Sequence, residues 1–142
     1  MKKTFLIITF CLVLFACAND RTKDEARQPE RAKSDVVEVL YFHGEQRCLT
    51  CRAIEKETKA LVATVFQDEV KSGRLVFRSL DIDENEALAD KYQVTWSSLV
   101  LVDYDAGREK ADNITKFAFS NVRKSPEVFR SVLTDKIRKM LD

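Results

Sequence analysis

Hydrophobic and polar positions change their spacing several times along the chain, and each change predicts an element. Behind the charged start Met1-Lys2-Lys3, residues Phe5 to Ala16 form an apolar run broken only by Thr9 and Cys11. The run falls short of the roughly 20 apolar residues that a spanning helix needs. A positive start, a short apolar stretch and a small residue before a cleavage point describe a secretory signal. Ala18 to Asp35 (ANDRTKDEARQPERAKSD) then carries no aromatic and no aliphatic side chain larger than Ala. Such a stretch cannot bury enough apolar surface to offset the entropy of ordering, and it reads as a flexible charged tether.

From Val36 the pattern is that of a folded domain. Val36-Val37-Glu38-Val39-Leu40-Tyr41-Phe42 is β-branched and aromatic, which suits a strand buried on both faces. Between Thr50 and Ser72 the period becomes helical. Ile54, Thr58, Leu61, Val62, Val65, Phe66 and Val70 fall on one stripe, with Glu55 and Lys59 as an i,i+4 pair on the outer face. Gly73 closes this helix. Arg74 to Asp81 predicts a second strand, Glu84 to Tyr92 a short helix and Leu99 to Tyr104 a third strand. Asp105-Ala106-Gly107-Arg108 is a turn, and Ile114 to Phe119 is expected to pair back as a hairpin strand. Ser125-Pro126-Glu127 opens the last helix, with Phe129, Val132, Leu133, Ile137, Met140 and Leu141 as its apolar face. The expected order is βαβαββα, an α/β domain with a central mixed sheet flanked by helices. Its parallel start requires a right-handed crossover, and its late hairpin gives an antiparallel edge.

Charge removes one class of partner. The formal net charge is +1, with no basic cluster interleaved with aromatics, so nucleic acid is not an expected partner. The four cysteines narrow the compartment and the chemistry. Leu14-Phe15-Ala16-Cys17 resembles a bacterial lipobox, whose cysteine becomes the acylated first residue of the mature protein. The resemblance implies a signal peptide over residues 1–17, lipidation of Cys17, a tether over 18–35 and a domain over 36–142. A plain signal peptide and an uncleaved anchor are the alternatives, and all three take the chain out of the cytosol. Cys11 leaves with the signal and Cys17 carries lipid, so Cys48 and Cys51 remain as the only thiols.

These two sit in His43-Gly44-Glu45-Gln46-Arg47-Cys48-Leu49-Thr50-Cys51-Arg52, between the first strand and the first helix. In an oxidising envelope so close a pair is either a disulfide or a deliberately reduced dithiol. A structural bridge closing so small a loop would add little stability. Thiolates are also good ligands for soft metals, and His43, Cys48 and Cys51 offer three ligands for Cu(I) or Zn. Redox exchange, soft-metal binding or transfer, and an inert disulfide all remain open on spacing alone.

The element order, with C-x-x-C between strand and helix, resembles the thioredoxin fold, supported by Leu80-Asp81-Ile82-Asp83-Glu84-Asn85 and Tyr92-Gln93-Val94. Tyr41-Phe42-His43-Gly44, Arg47-Cys48 and Thr50-Cys51 further resemble a subgroup of bacterial envelope thioredoxin-like lipoproteins, the nitrophenyl-compound nitroreductase small-subunit (ArsF-type) family. The resemblance implies thiol–disulfide exchange without a bound cofactor. It also implies a redox partner protein, such as a reductase system, and a lipid-anchored place in the bacterial envelope, facing the periplasm. A cysteine at a helix N-terminus meets unpaired N–H groups and the positive end of the helix dipole. Cys48 is therefore expected to attack and Cys51 to resolve, with Arg47 and His43 in support.

Two departures stand out. Thioredoxins carry a buried carboxylate on the first strand where this chain has Phe42, leaving His43 and Glu38 as candidate substitutes. They carry a cis-proline where this chain has Ser98. A cis bond before a non-proline residue costs about 3 kcal/mol, so a trans peptide is expected there. Trp96 is then a candidate apolar wall facing Cys48, and Ser97 and Ser98 candidate hydrogen-bond donors to a partner backbone.

Overall fold

The computed structural model describes residues 35–142. The expected signal peptide, the lipobox-like stretch with Cys17 and nearly all of the expected tether lie outside the described residues. Among the described residues no helix is long and apolar enough to cross a membrane.

Strand β1 (Val36–His43) is the centre of the fold. It pairs in parallel with β2 (Leu75–Asp81) and antiparallel with β3 (Ser98–Asp105), whose other side takes β4 (Arg108–Asn113). The sheet order is β2-β1-β3-β4. Strand alternation sends Val37, Val39 and Tyr41 to one face and Leu40 and Phe42 to the other. The first set packs with α1 (Leu49–Val65), α4 (Thr115–Asn121) and α5 (Pro126–Leu141), where Ile54, Leu61, Ala118, Phe129, Leu133 and Ile137 are fully buried. The second packs with Leu80, Val94 and Ala89 of the short helix α3 (Glu86–Lys91). Both faces of β1 are covered, as its apolar run predicts.

Three predicted elements differ in the structure. The helix expected over 50–72 is two, α1 and α2 (Gln67–Ser72), parted at Phe66, whose φ of −120° and ψ of 38° lie outside the helical region. The break turns the Phe66 ring into the core and leaves Val65 and Val70 exposed, although the stripe had placed all three inside. Gly73 still ends the segment, with a φ of 76° that a Cβ would disfavour.

The helix expected from Glu84 begins as a 3-10 turn over Asp83–Asn85 and becomes α-helical at Glu86. The side chain of Asp81 takes the Asp83 N–H at 2.9 Å, and the Asn85 amide donates to the Asp81 carbonyl at 2.8 Å. These local bonds compete with the helical ladder.

The hairpin strand is Arg108–Asn113, and the segment predicted as strand, 114–119, lies mostly in α4. Ala106 and Gly107 have φ of 46° and 76°, which makes a tight two-residue turn and starts the return strand at once with the pair Asp105 and Arg108. The charged residues Arg108, Glu109 and Lys110 suit that open edge. In the next stretch Ile114, Ala118 and Val122 are the buried aliphatic positions, a four-residue step that belongs to a helix.

Candidate active site

Parallel pairing brings the last residue of β1 beside the last of β2, His43 against Asp81, and antiparallel pairing sets Phe42 against Ser98 at the start of β3. One end of the sheet therefore gathers the loop after β1, the end of β2 and the segment before β3. The loop after β1 delivers the chain to α1 with Cys48 as its N-cap, at φ −70° and ψ 165°. The Cys48 Sγ accepts the Cys51 N–H at 3.0 Å, in the role a serine or aspartate oxygen usually takes. Cys48 and Cys51 form a disulfide with a Cα–Cα distance of 5.0 Å. Cys48 is exposed, whereas Cys51, one turn into the helix, is 6% exposed. The first turn of α1 carries no acidic residue to oppose the positive end of its dipole.

Arg47 was expected in support of Cys48. Its guanidinium is instead engaged elsewhere: Nη1 meets Glu55 Oε2 and Nη2 meets His43 Nε2. The second oxygen of Glu55 accepts from Ser79 Oγ at 2.6 Å. The predicted Glu55–Lys59 surface pair thus gives way to an inward cluster joining α1, β2 and the loop. A guanidinium has donors only, so in this contact His43 Nε2 is the acceptor, and the other ring nitrogen is Nδ1. That nitrogen lies 3.2 Å from the Gly44 carbonyl and 3.6 Å from Asp81 Oδ2. Arg52, exposed on the first turn, donates from Nη2 to the Arg47 carbonyl at 3.2 Å.

Behind Cys51 the polar group is Tyr41, which sequence reasoning had treated only as core. Its hydroxyl donates to the Cys51 carbonyl at 2.8 Å. Burial pushes the phenol above its ordinary range, and a hydrogen bond from Ser97 pulls it part of the way back. Tyr41 therefore keeps its proton at neutral pH and ties the start of α1 to the segment before β3. The signal was available: Val37, Val39 and Tyr41 share a face, and that face meets the helix carrying Cys51.

Of the two candidate substitutes for the missing carboxylate, Glu38 is placed elsewhere. Phe42 points to the opposite face, its ring 6.3 Å from that of Tyr92. Glu38 shares that opposite face and receives the Tyr104 hydroxyl at 3.4 Å. His43 is occupied by Arg47.

The segment before β3 also departs from expectation. Ser97 and Ser98 are 8% and 2% exposed. Ser98 Oγ donates to the Trp96 carbonyl at 2.9 Å, an internal bond. No cis peptide occurs among the described residues, in line with a trans bond before Ser98. Trp96 is 57% exposed and leans on Phe119 of α4, ring centroids 5.2 Å apart.

The metal alternative asked for His43, Cys48 and Cys51 as one ligand set. The two sulfurs are bonded to each other, and His43 turns its accepting nitrogen to Arg47. Among the described residues no group of three or more His, Cys, Asp or Glu side chains is disposed to hold a metal ion.

No family model and no curated relative matches the sequence. Solved structures do. The Trx4 domain of ERdj5 is similar at a TM-score of 0.50 and 13% identity, over 74% of this chain and 82% of that one. Trxlp from Edwardsiella tarda EIB202 gives 0.47 and 20% over 72% and 85%. A thioredoxin from Fasciola hepatica gives 0.42 and 28% over 56% and 67%. The first of these carries the assignment: the chain has a thioredoxin-like fold, as its element order predicts.

Proposed function

We propose that the chain is a membrane-tethered thiol–disulfide exchange protein of a bacterial cell envelope, relaying electrons between its Cys48–Cys51 pair and a redox partner protein, with a reductase system as that partner. The observation that carries the reading is the asymmetry of the pair, an exposed sulfur at a helix N-cap bonded to a buried one a turn inside. The described state is the oxidised one.

In the reducing direction the Cys48 thiolate attacks one sulfur of the partner's disulfide. The partner's other sulfur leaves as a thiolate and takes a proton. Cys51 then loses its proton and attacks Cys48 Sγ, which re-forms the intramolecular disulfide and releases the partner's second thiol. Two electrons and two protons pass to the partner, and the reverse sequence carries them back. The backbone N–H of Cys51, already on Cys48 Sγ, supports charge on that sulfur. Leu49, between the cysteines, is 67% exposed and gives a protein partner apolar contact beside the sulfurs, and Trp96, 57% exposed at the same end of the sheet, adds a second apolar surface. The anchoring rests on the lipobox-like Leu14 to Cys17, and the compartment on the same residues.

The test is exchange with a small disulfide. The full chain, reduced and purified anaerobically in detergent, is expected to consume one equivalent of glutathione disulfide and to release two of glutathione, with Cys48 and Cys51 recovered as one disulfide-linked peptide. Stoichiometric uptake of Cu(I) or Zn by a reduced pair that leaves glutathione disulfide untouched would contradict it.

A further inference from the structure

We propose that Glu55 is a positioning residue for this exchange, which holds the Arg47 guanidinium away from Cys48 and so makes the pair a weaker oxidant than it would be with that cation on the sulfur. The inference rests on the exchange reading above. Arg47 immediately precedes the attacking cysteine, and adjacent Cα atoms lie only about 3.8 Å apart, so its long side chain can reach the sulfur. A cation there stabilises the thiolate, and a stabilised thiolate favours the reduced form.

In the structure that cation is spoken for on two sides, by Glu55 Oε2 and by His43 Nε2. Glu55 is itself fixed, because Ser79 of β2 donates to its other oxygen at 2.6 Å. His43 is fixed by the end of β1, with Nδ1 facing Gly44 and Asp81. The side chains of Arg47 and Glu55 are 28% and 23% exposed, so solvent screens the pair less than it would on an open surface. Glu55 also brings a negative charge to the same neighbourhood, which offsets part of the guanidinium. Arg52, the other cation at the helix start, is exposed and donates to the Arg47 carbonyl. Cys48 is thus left chiefly to the backbone N–H groups and the helix dipole.

The readout is the equilibrium constant of the full chain with glutathione, together with the pH profile of Cys48 alkylation. Glu55→Gln removes the anionic partner of Arg47 and leaves His43 as its weaker hold, and the constant for disulfide formation is expected to fall about tenfold while the alkylation midpoint moves to lower pH. In an Arg47→Gln background the same Glu55→Gln change is expected to alter the constant by less than about threefold, because no guanidinium remains to be released. An equal shift in both backgrounds would show Glu55 acting through its own charge alone and would overturn the proposal, as would no shift in either. If Glu55→Gln does not fold, Ser79→Ala loosens the carboxylate from its other end. A fall of about twofold supports the proposal, and an unchanged constant refutes it. A wild-type chain that never equilibrates with glutathione removes the exchange reading itself. A wild-type chain that equilibrates while the variants follow it removes only the role of Glu55.

Discussion

Cys48→Ser is expected to lower the rate of exchange with a disulfide by at least about 100-fold, while Cys51→Ser is expected to keep the first step and lose the second. The reason is access. Cys48 is exposed and caps α1, whereas Cys51 is buried behind it, its carbonyl held by Tyr41. With serine at 48 the remaining thiol has neither a route to a partner nor the helix-end position. With serine at 51 the attacking thiolate is intact but nothing resolves the adduct. That variant should accumulate a mixed disulfide on Cys48, seen as the mass of one added glutathione. Equal residual rates in the two variants would mean that the sulfurs are interchangeable, against the asymmetry on which the mechanism depends.

Phe129→Ala is expected to cost about 3 to 5 kcal/mol of folding stability. Phe129 is fully buried on α5 and stacks on Phe117 of α4, ring centroids 6.3 Å apart and planes 15° apart. It sits where α4 and α5 close over the Tyr41 face of β1, so its removal leaves a cavity that two helices and a sheet cannot collapse together to fill. A domain of this size has about 5 to 15 kcal/mol to lose. Val128, its neighbour on the same helix, is 43% exposed and provides the contrast: Val128→Ala is expected to shift stability by less than about 0.5 kcal/mol. Denaturant melts of both variants check the difference, and comparable losses would place the core elsewhere.

The parts of this fold that could be read from the sequence are those fixed by local chemistry. The uninterrupted apolar run of β1, the αL glycine at 73 and the Ser125-Pro126 start of α5 each act within a few residues, and each stands where expected. The cysteines followed the same logic, since a strand ending at His43 and a helix starting at Leu49 leave Cys48 at the cap.

What escaped was set by tertiary competition. Phe66 lies on a good helical stripe, yet the core takes its ring more readily from a broken helix. Ile114 to Phe119 carries the β-branched and aromatic residues of a strand, but the turn at Ala106-Gly107 had already begun the return strand, and Ala118 and Val122 continue a helical step instead. In the site, Cys48, Cys51, His43, Arg47 and the Trp96–Ser98 segment were legible as residues at one end of the sheet. Their partners were not. Glu55 is drawn from Lys59 by Arg47 and Ser79, through contacts that span several elements.

The central claim is that Cys48 and Cys51 form a reversible couple rather than a fixed bridge. It is tested most directly by bringing the full chain to equilibrium in a series of glutathione redox buffers, from the reduced side and from the oxidised side. The fraction of Cys48–Cys51 disulfide is then counted by mass. The predicted result is a single two-electron transition that superimposes in both directions. A disulfide that stays closed across the whole series, or a dithiol that never closes, would contradict it.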